Sequence, residues 1–226
     1  MAEGRLGRER IPSRARLILE EHRLSTAAFI RYFSSLNPDY AVLDVACGDG
    51  YHLEILRNLG FKRIYGIDTD EEMLELAEEK GLNVRYGSVY ELEIKGVFDV
   101  ILMCDLIDKL DDPELALRRV HDALKEDGIL YLTAHVGESL AAKLRRRKGA
   151  PGSISTERVL DLLQRAGFEV EHKMKTANKL PFGKVQSITF GGRFGNWLII
   201  VARKVGRGVE DEDVEDVRQD VEGDTG

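Results

Sequence analysis

The residues best suited to chemistry lie in one stretch, Tyr40 to His52, which reads YAVLDVACGDGYH. Ala41, Val42 and Leu43 are a short apolar run of the kind found in strands covered on both faces, and Asp44 is expected to end it. Ala46, Gly48 and Gly50 then fall at alternate positions. Small residues there permit left-handed backbone and keep a Cβ out of the way of a close ligand. A helix from Tyr51 to about Leu59 presents its free N–H groups and positive dipole end at that turn. The chemistry is that of a nucleotide-like ligand site, though a glycine turn also serves plain packing in many α/β folds. Asp68 adds a second signal. It closes the strand Arg63–Ile67, 24 residues after Asp44, where a carboxylate accepts hydrogen bonds from ribose hydroxyls. Its other use, as a helix N-cap, is better filled by Thr69 or Asp70, because Glu71 and Glu72 then occupy the first turn.

These groups need a scaffold, and the rest of the chain supplies its pattern. A helical pattern over 14–36 carries a stripe of Leu17, Leu24, Ala28 and Phe29, with Ser25 as a break. After Asp68 come a helix over 70–80 closed by Gly81, a third strand in NVRYGSV, and a fourth with Val97, Val100, Ile101 and Leu102 buried. A helix with Pro113 in its first turn precedes Gly128 and a fifth strand, Ile129–Leu132. A further helix, capped by Ser155 or Thr156 and stopped by Gly167, leads to a sixth strand from Phe168 and a last strand in NWLIIVARK. Ligands of open parallel sheets sit beyond the carboxyl ends of the strands, which places Met103, Cys104 and Asp105 at the site. Asp105 either faces a substrate or caps a helix. Thr133, Ala134 and His135 reach the same edge, and His135 is the histidine best placed for acid/base work. His22, His52, His121 and His172 read as surface or helix residues.

VLDVACGDG, the strand-end Asp68, VRYGSVYEL and the run FDVILMCDLIDKLDDPELALRRVHDALKEDGILYLTAHV together resemble the ordered motifs of class I S-adenosylmethionine-dependent methyltransferases, in their small-molecule branch. The resemblance covers roughly residues 36–204. It implies an α/β, Rossmann-like three-layer sandwich with a seven-stranded, mostly parallel sheet and an antiparallel last strand. It also implies S-adenosylmethionine as cofactor, held by Asp44, Ala46, Cys47, Gly48, Gly50, Asp68, Thr69, Ser88, Val89, Met103 and Cys104. Asp105 and His135 are then the candidates to face the methyl acceptor. Two positions depart from the family: Ser88 stands where an acidic residue usually meets the adenine amino group, and Asp108–Lys109 where many members carry Glu-His. Leu53 occupies the place of the third glycine of a dinucleotide fingerprint, which argues against a nicotinamide dehydrogenase.

Composition bounds the rest. The chain has 226 residues, 43% hydrophobic and 32% charged, in the range of a globular protein. No apolar run approaches the roughly 20 residues of a membrane span. The arginine-bearing N-terminus shows no secretory signal, two cysteines make no disulfide framework, and no metal-ligand cluster is spaced along the chain, so a reducing, cytoplasmic protein without a metal is expected. The net charge of −7 resides in residues 207–226, with nine acidic and two basic residues; without them the chain has 31 of each sign. The expected organisation is a basic arm and helical cap over 1–36, a catalytic domain over 37–206, and an acidic disordered tail over 207–226. Lys143, Arg145, Arg146, Arg147 and Lys148 form a cationic cluster. Arg145, Arg146 and Arg147 suit an anionic small-molecule substrate, or an RNA or protein substrate, or the acidic tail folded back upon them; a solvated helix end is the plainer alternative. Methyl transfer to a small molecule is the expectation, with an RNA or protein methyltransferase or a non-catalytic cofactor-binding module as the rivals.

Overall fold

The computed structural model of the chain describes residues 25–136, 154–176 and 197–206. In chain order the elements are a helix α1 over residues 25–33, β1 (Ala41–Val45), α2 (Tyr51–Asn58), β2 (Arg63–Asp68), α3 (Glu71–Glu79), β3 (Val84–Tyr86), a 3-10 turn (Val89–Glu91), β4 (Phe98–Cys104), α4 (Pro113–Ala123), β5 (Leu124–His135), α5 (Thr156–Arg165), β6 (Phe168–Thr176) and β7 (Trp197–Lys204). The strands form one sheet in the order β3-β2-β1-β4-β5-β7-β6. β1 through β5 pair in parallel, and β7 slots between β5 and β6, antiparallel to both. The Rossmann-like sheet with an antiparallel last strand is therefore present.

Local chemistry explains the helix starts. Asp70 caps α3 by accepting from Met73 N at 3.2 Å, Asp112 caps α4 by accepting from Leu115 N at 2.9 Å ahead of Pro113, and Ser155 caps α5 by accepting from Arg158 N at 3.2 Å. Each satisfies an N–H that the helix itself leaves without a partner. The sheet splits the core in two. Leu43, Val45, Ile101 and Met103 face α4 and α5. Val42, Val100 and Leu102 face α1, α2 and α3. On that side Phe29 and Phe33 of α1 stack at 4.3 Å and are buried. Leu17 and Leu24 of the predicted stripe lie outside the described residues.

Three expectations are corrected. β1 does not end at Asp44. Val45 continues both ladders, opposite Ile67 and Met103, so Asp44 is a strand residue and buried. β5 begins at Leu124, directly after α4, rather than beyond Gly128. Leu124 pairs with Phe98, and the register then jumps to Val100 opposite Ile129, with the intervening residues bulged and Asp127 at φ +58°. Val97, expected in the buried run of the fourth strand, precedes β4 and is 41% exposed. His121 is a residue of α4, one of the two placements expected of it. It is buried, Nε2 lies 3.0 Å from Val205 O, and its ring meets Phe168 edge-on.

Candidate functional site

The turn leaving β1 has three residues in left-handed backbone: Ala46 at φ +58°, Gly48 at +53° and Gly50 at +80°. A Cβ on Gly50 would overlap Leu82 Cδ1, so glycine is required there on steric and on conformational grounds. A Cβ on Gly48 would meet nothing within 4 Å, so the turn opens onto free space. Gly50 caps α2 with no side-chain acceptor, leaving the first N–H groups of that helix for a ligand. Asp68 fastens the turn. Its Oδ2 accepts from Gly48 N at 2.7 Å and its Oδ1 from Asp70 N at 3.0 Å. A carboxylate has about four acceptor sites, so Asp68 can hold the turn and still receive ribose hydroxyls.

Neighbouring strands β2, β1 and β4 each deliver one aspartate at the carboxyl edge: Asp68, Asp44 and Asp105. Asp44 is 1% exposed and neither of its oxygens has a hydrogen-bond partner. Burial first, then the Asp68 charge, push its carboxyl well above the usual range. His52 Nδ1 stands 3.8 Å from Asp44 Oδ2. Asp105 sits at φ +54° just past β4. Thr133 Oγ1 donates to Asp105 Oδ1 at 2.9 Å, and Asp105 N donates to Thr133 O at 3.0 Å. Asp105 is thus held by β5 and is not a helix cap; α4 has Asp112 for that. Burial and the Asp44 charge raise the Cys47 thiol to about 12, and burial followed by the same charge moves Cys104 upward too. Both thiols are neutral, so neither is a nucleophile.

The other candidates fall as follows. Ala46 and Thr69 are exposed on the turns after β1 and β2. Ser88 accepts from Tyr90 N at 3.2 Å and caps the 3-10 turn, with Val89 buried behind it. The Tyr90 hydroxyl accepts from Asp112 N at 3.1 Å and ties the 3-10 turn to α4. Met103 points into the core, so only its backbone is available to a ligand. Lys109 is exposed. His135 is exposed at the end of β5, its ring edge-on to Trp197 at 5.8 Å. Arg145, Arg146 and Arg147 lie outside the described residues. Sequence reasoning passed over His52. The usable signal was its place in the first turn of α2, because helical side chains lean toward the N-terminus and so over the strand end. Among the described residues no three His, Cys, Asp or Glu side chains are grouped to hold a metal, and no helix is long and apolar enough to cross a membrane.

Residues 43–132 match the family model described as a methyltransferase domain. The ubiquinone biosynthesis O-methyltransferase of Haemophilus ducreyi is 30% identical over 151 residues, which is 62% of this chain and 61% of that protein. The chain thus spans about three fifths of the length of this relative. A solved Thermotoga maritima structure described as an S-adenosylmethionine-dependent methyltransferase, possibly a histamine N-methyltransferase, has a TM-score of 0.62 at 25% identity and covers 84% of this chain and 97% of its own. The magnesium protoporphyrin IX methyltransferase of Synechocystis, solved with S-adenosylhomocysteine, shares the fold at TM-score 0.65 and 16% identity, covering 88% and 90%. Residues 43–132 thus carry a methyltransferase domain, and the chain is similar in sequence and in fold to S-adenosylmethionine-dependent methyltransferases.

The site fits S-adenosylmethionine on its own evidence. The cofactor carries a sulfonium and an ammonium, and the edge offers a buried carboxylate with no hydrogen-bond partner, Asp44, between two others. An opposite charge is what a desolvated carboxylate lacks.

Proposed function

We propose that this protein transfers a methyl group from S-adenosylmethionine to a hydroxyl oxygen of a small molecule. The observation that carries the reading is the row of three strand-end aspartates around an open glycine turn, one of them buried and unbonded. The choice of oxygen and of a small acceptor draws on the ubiquinone biosynthesis O-methyltransferase relative. When bound, the cofactor supplies an already activated methyl, so the protein's work is alignment and proton removal. Asp68 receives the ribose hydroxyls and keeps the turn in shape. Asp44 faces the positive end of the donor. Backbone at Ser88–Val89 and at Met103–Cys104 lines the remaining cofactor surface. Asp105 takes up the acceptor's hydroxyl proton, its position set by Thr133 and by its left-handed backbone. His52, beside Asp44 at the head of α2, orients that carboxylate. With both described cysteines free, the protein suits a reducing, cytoplasmic setting.

The test is incubation with methyl-labelled S-adenosylmethionine and a panel of hydroxylated small molecules and host extract, followed by mass spectrometry of the labelled fraction. The expected result is an O-methyl product of low mass. Label in RNA or protein overturns the acceptor class. Tight binding of S-adenosylhomocysteine with no transfer to any fraction overturns the enzymatic reading.

A further inference from the structure

The crossover from β3 to β4 carries one 3-10 turn, Val89–Glu91, and no α-helix. On the face that this crossover runs over, β1 is buried under Val89, Leu92 and Phe98, while Tyr65 of β2 and Val97 stay partly exposed. A groove of about 370 Å³ opens there, floored by Ala41, Leu43 and Ile67 and edged by Arg63, Tyr65 and Arg85. It lies on the opposite side of the sheet from Asp44, because side chains alternate along β1. Tyr65 and Val97 on its rim are 36% and 41% exposed. Its lining has two arginines and no carboxylate.

The described chain ends near α4, four strand spacings, about 19 Å, from the β2 residues that edge the groove. Val205 O lies 3.0 Å from His121 Nε2 near the end of α4. The next residues of α4, Asp122 and Ala123, accept from Gly96 N and Val97 N at 2.8 and 2.9 Å, and Val97 lines the groove. From β7 to β4 is two strand spacings, about 10 Å. Residues 207–226 follow, a length that reaches about 66 Å when extended. They hold nine acidic residues, two basic ones, and valines at 209, 214, 217 and 221.

We propose that the acidic segment 207–226 docks in this groove, its carboxylates on Arg63 and Arg85 and its valines over the exposed Tyr65 and Val97. The match is in sign, in apolar content and in reach. Tethering raises the local concentration of the segment to the millimolar range, so contacts too weak to hold a free peptide suffice. Docking of this kind weakens as salt screens the charges.

The test uses the full chain with Val217→p-benzoylphenylalanine, irradiated at low salt, with crosslinked peptides identified by mass spectrometry. The expected crosslinks fall on peptides spanning Arg63–Ile67, Val84–Tyr86 or Ile94–Phe98, and their yield drops at least fivefold in an Arg63→Glu, Arg85→Glu background and in 1 M salt. Crosslinks to the segment 143–148 overturn the proposal in favour of the basic cluster as the address of the tail. Crosslinks between isotopically light and heavy chains overturn it in favour of a second copy. A yield unaffected by the charge reversals also overturns it. The two arginines are exposed, so a thermal melt of the double variant close to that of the parent separates lost docking from lost folding.

Discussion

β1 and β2 build two openings that differ in every respect except their strands. At the carboxyl edge, Asp44 and Asp68 stand where backbone is left-handed and a helix end adds positive potential. On the other face, nearer the amino ends, Arg63 and Arg85 edge a groove over Ala41 and Leu43. The first opening exists because strand-to-helix turns project polar groups beyond the sheet. The second exists because a helix-length crossover is missing. Alternation of side chains keeps the two apart: along β1 and β2 the carboxylates of Asp44 and Asp68 lie on one face and the Arg63 guanidinium on the other, with Arg85 contributed by β3. A polar site at strand ends is thus a feature of the fold, whereas the groove is a feature of one connection.

Four variants test that independence. The largest effect is expected from Asp68→Ala, which removes the anchor of Gly48 and the acceptor proposed for the ribose hydroxyls. S-adenosylhomocysteine affinity measured by calorimetry should fall about 100-fold, from two charge-assisted hydrogen bonds, while the groove crosslinks stay as in the parent. Gly50→Ala places a Cβ against Leu82 in left-handed backbone, so a denaturant melt should show a loss of about 2 kcal/mol. An unchanged melt would mean that the turn relaxes freely. Asp44→Asn should lower cofactor affinity about tenfold, as one charged partner is lost. Its pH signature is opposite in sign to that of an ordinary paired carboxylate. Asp44 holds its proton in the folded state above the ordinary value of 3.8, so between that value and its raised one the folded chain binds more protons than the unfolded chain. Without cofactor, stability therefore falls as pH rises through that window. The asparagine variant should flatten the fall and be the more stable protein at neutral pH, and a parallel pair of pH–stability curves would refute the assignment. The smallest effect is expected from Arg63→Glu with Arg85→Glu: cofactor affinity unchanged and stability within about 0.5 kcal/mol per site, as for exposed positions. A drop in cofactor affinity there would show that the two faces are coupled.

The sequence by itself determined the order of elements, the helix caps to within one residue (Thr69 or Asp70, Ser155 or Thr156), the glycine turn and the place of Asp68 at a strand end. Each rests on interactions between residues a few positions apart, or on an apolar period that a single segment carries. The expectations it missed, the extension of β1 through Val45 and the early start of β5, depend on partners far along the chain, Met103 and Phe98. Only the tertiary structure decided that residues 68, 44 and 105 stand side by side, because strand order is set by long-range pairing and not by local preference. The same holds for His52 reaching Asp44, for Thr133 fixing Asp105, and for the groove edged by Arg63 and Arg85. Side-chain direction and the reach of one element over another appear only when the sheet is closed and its helices are laid upon it.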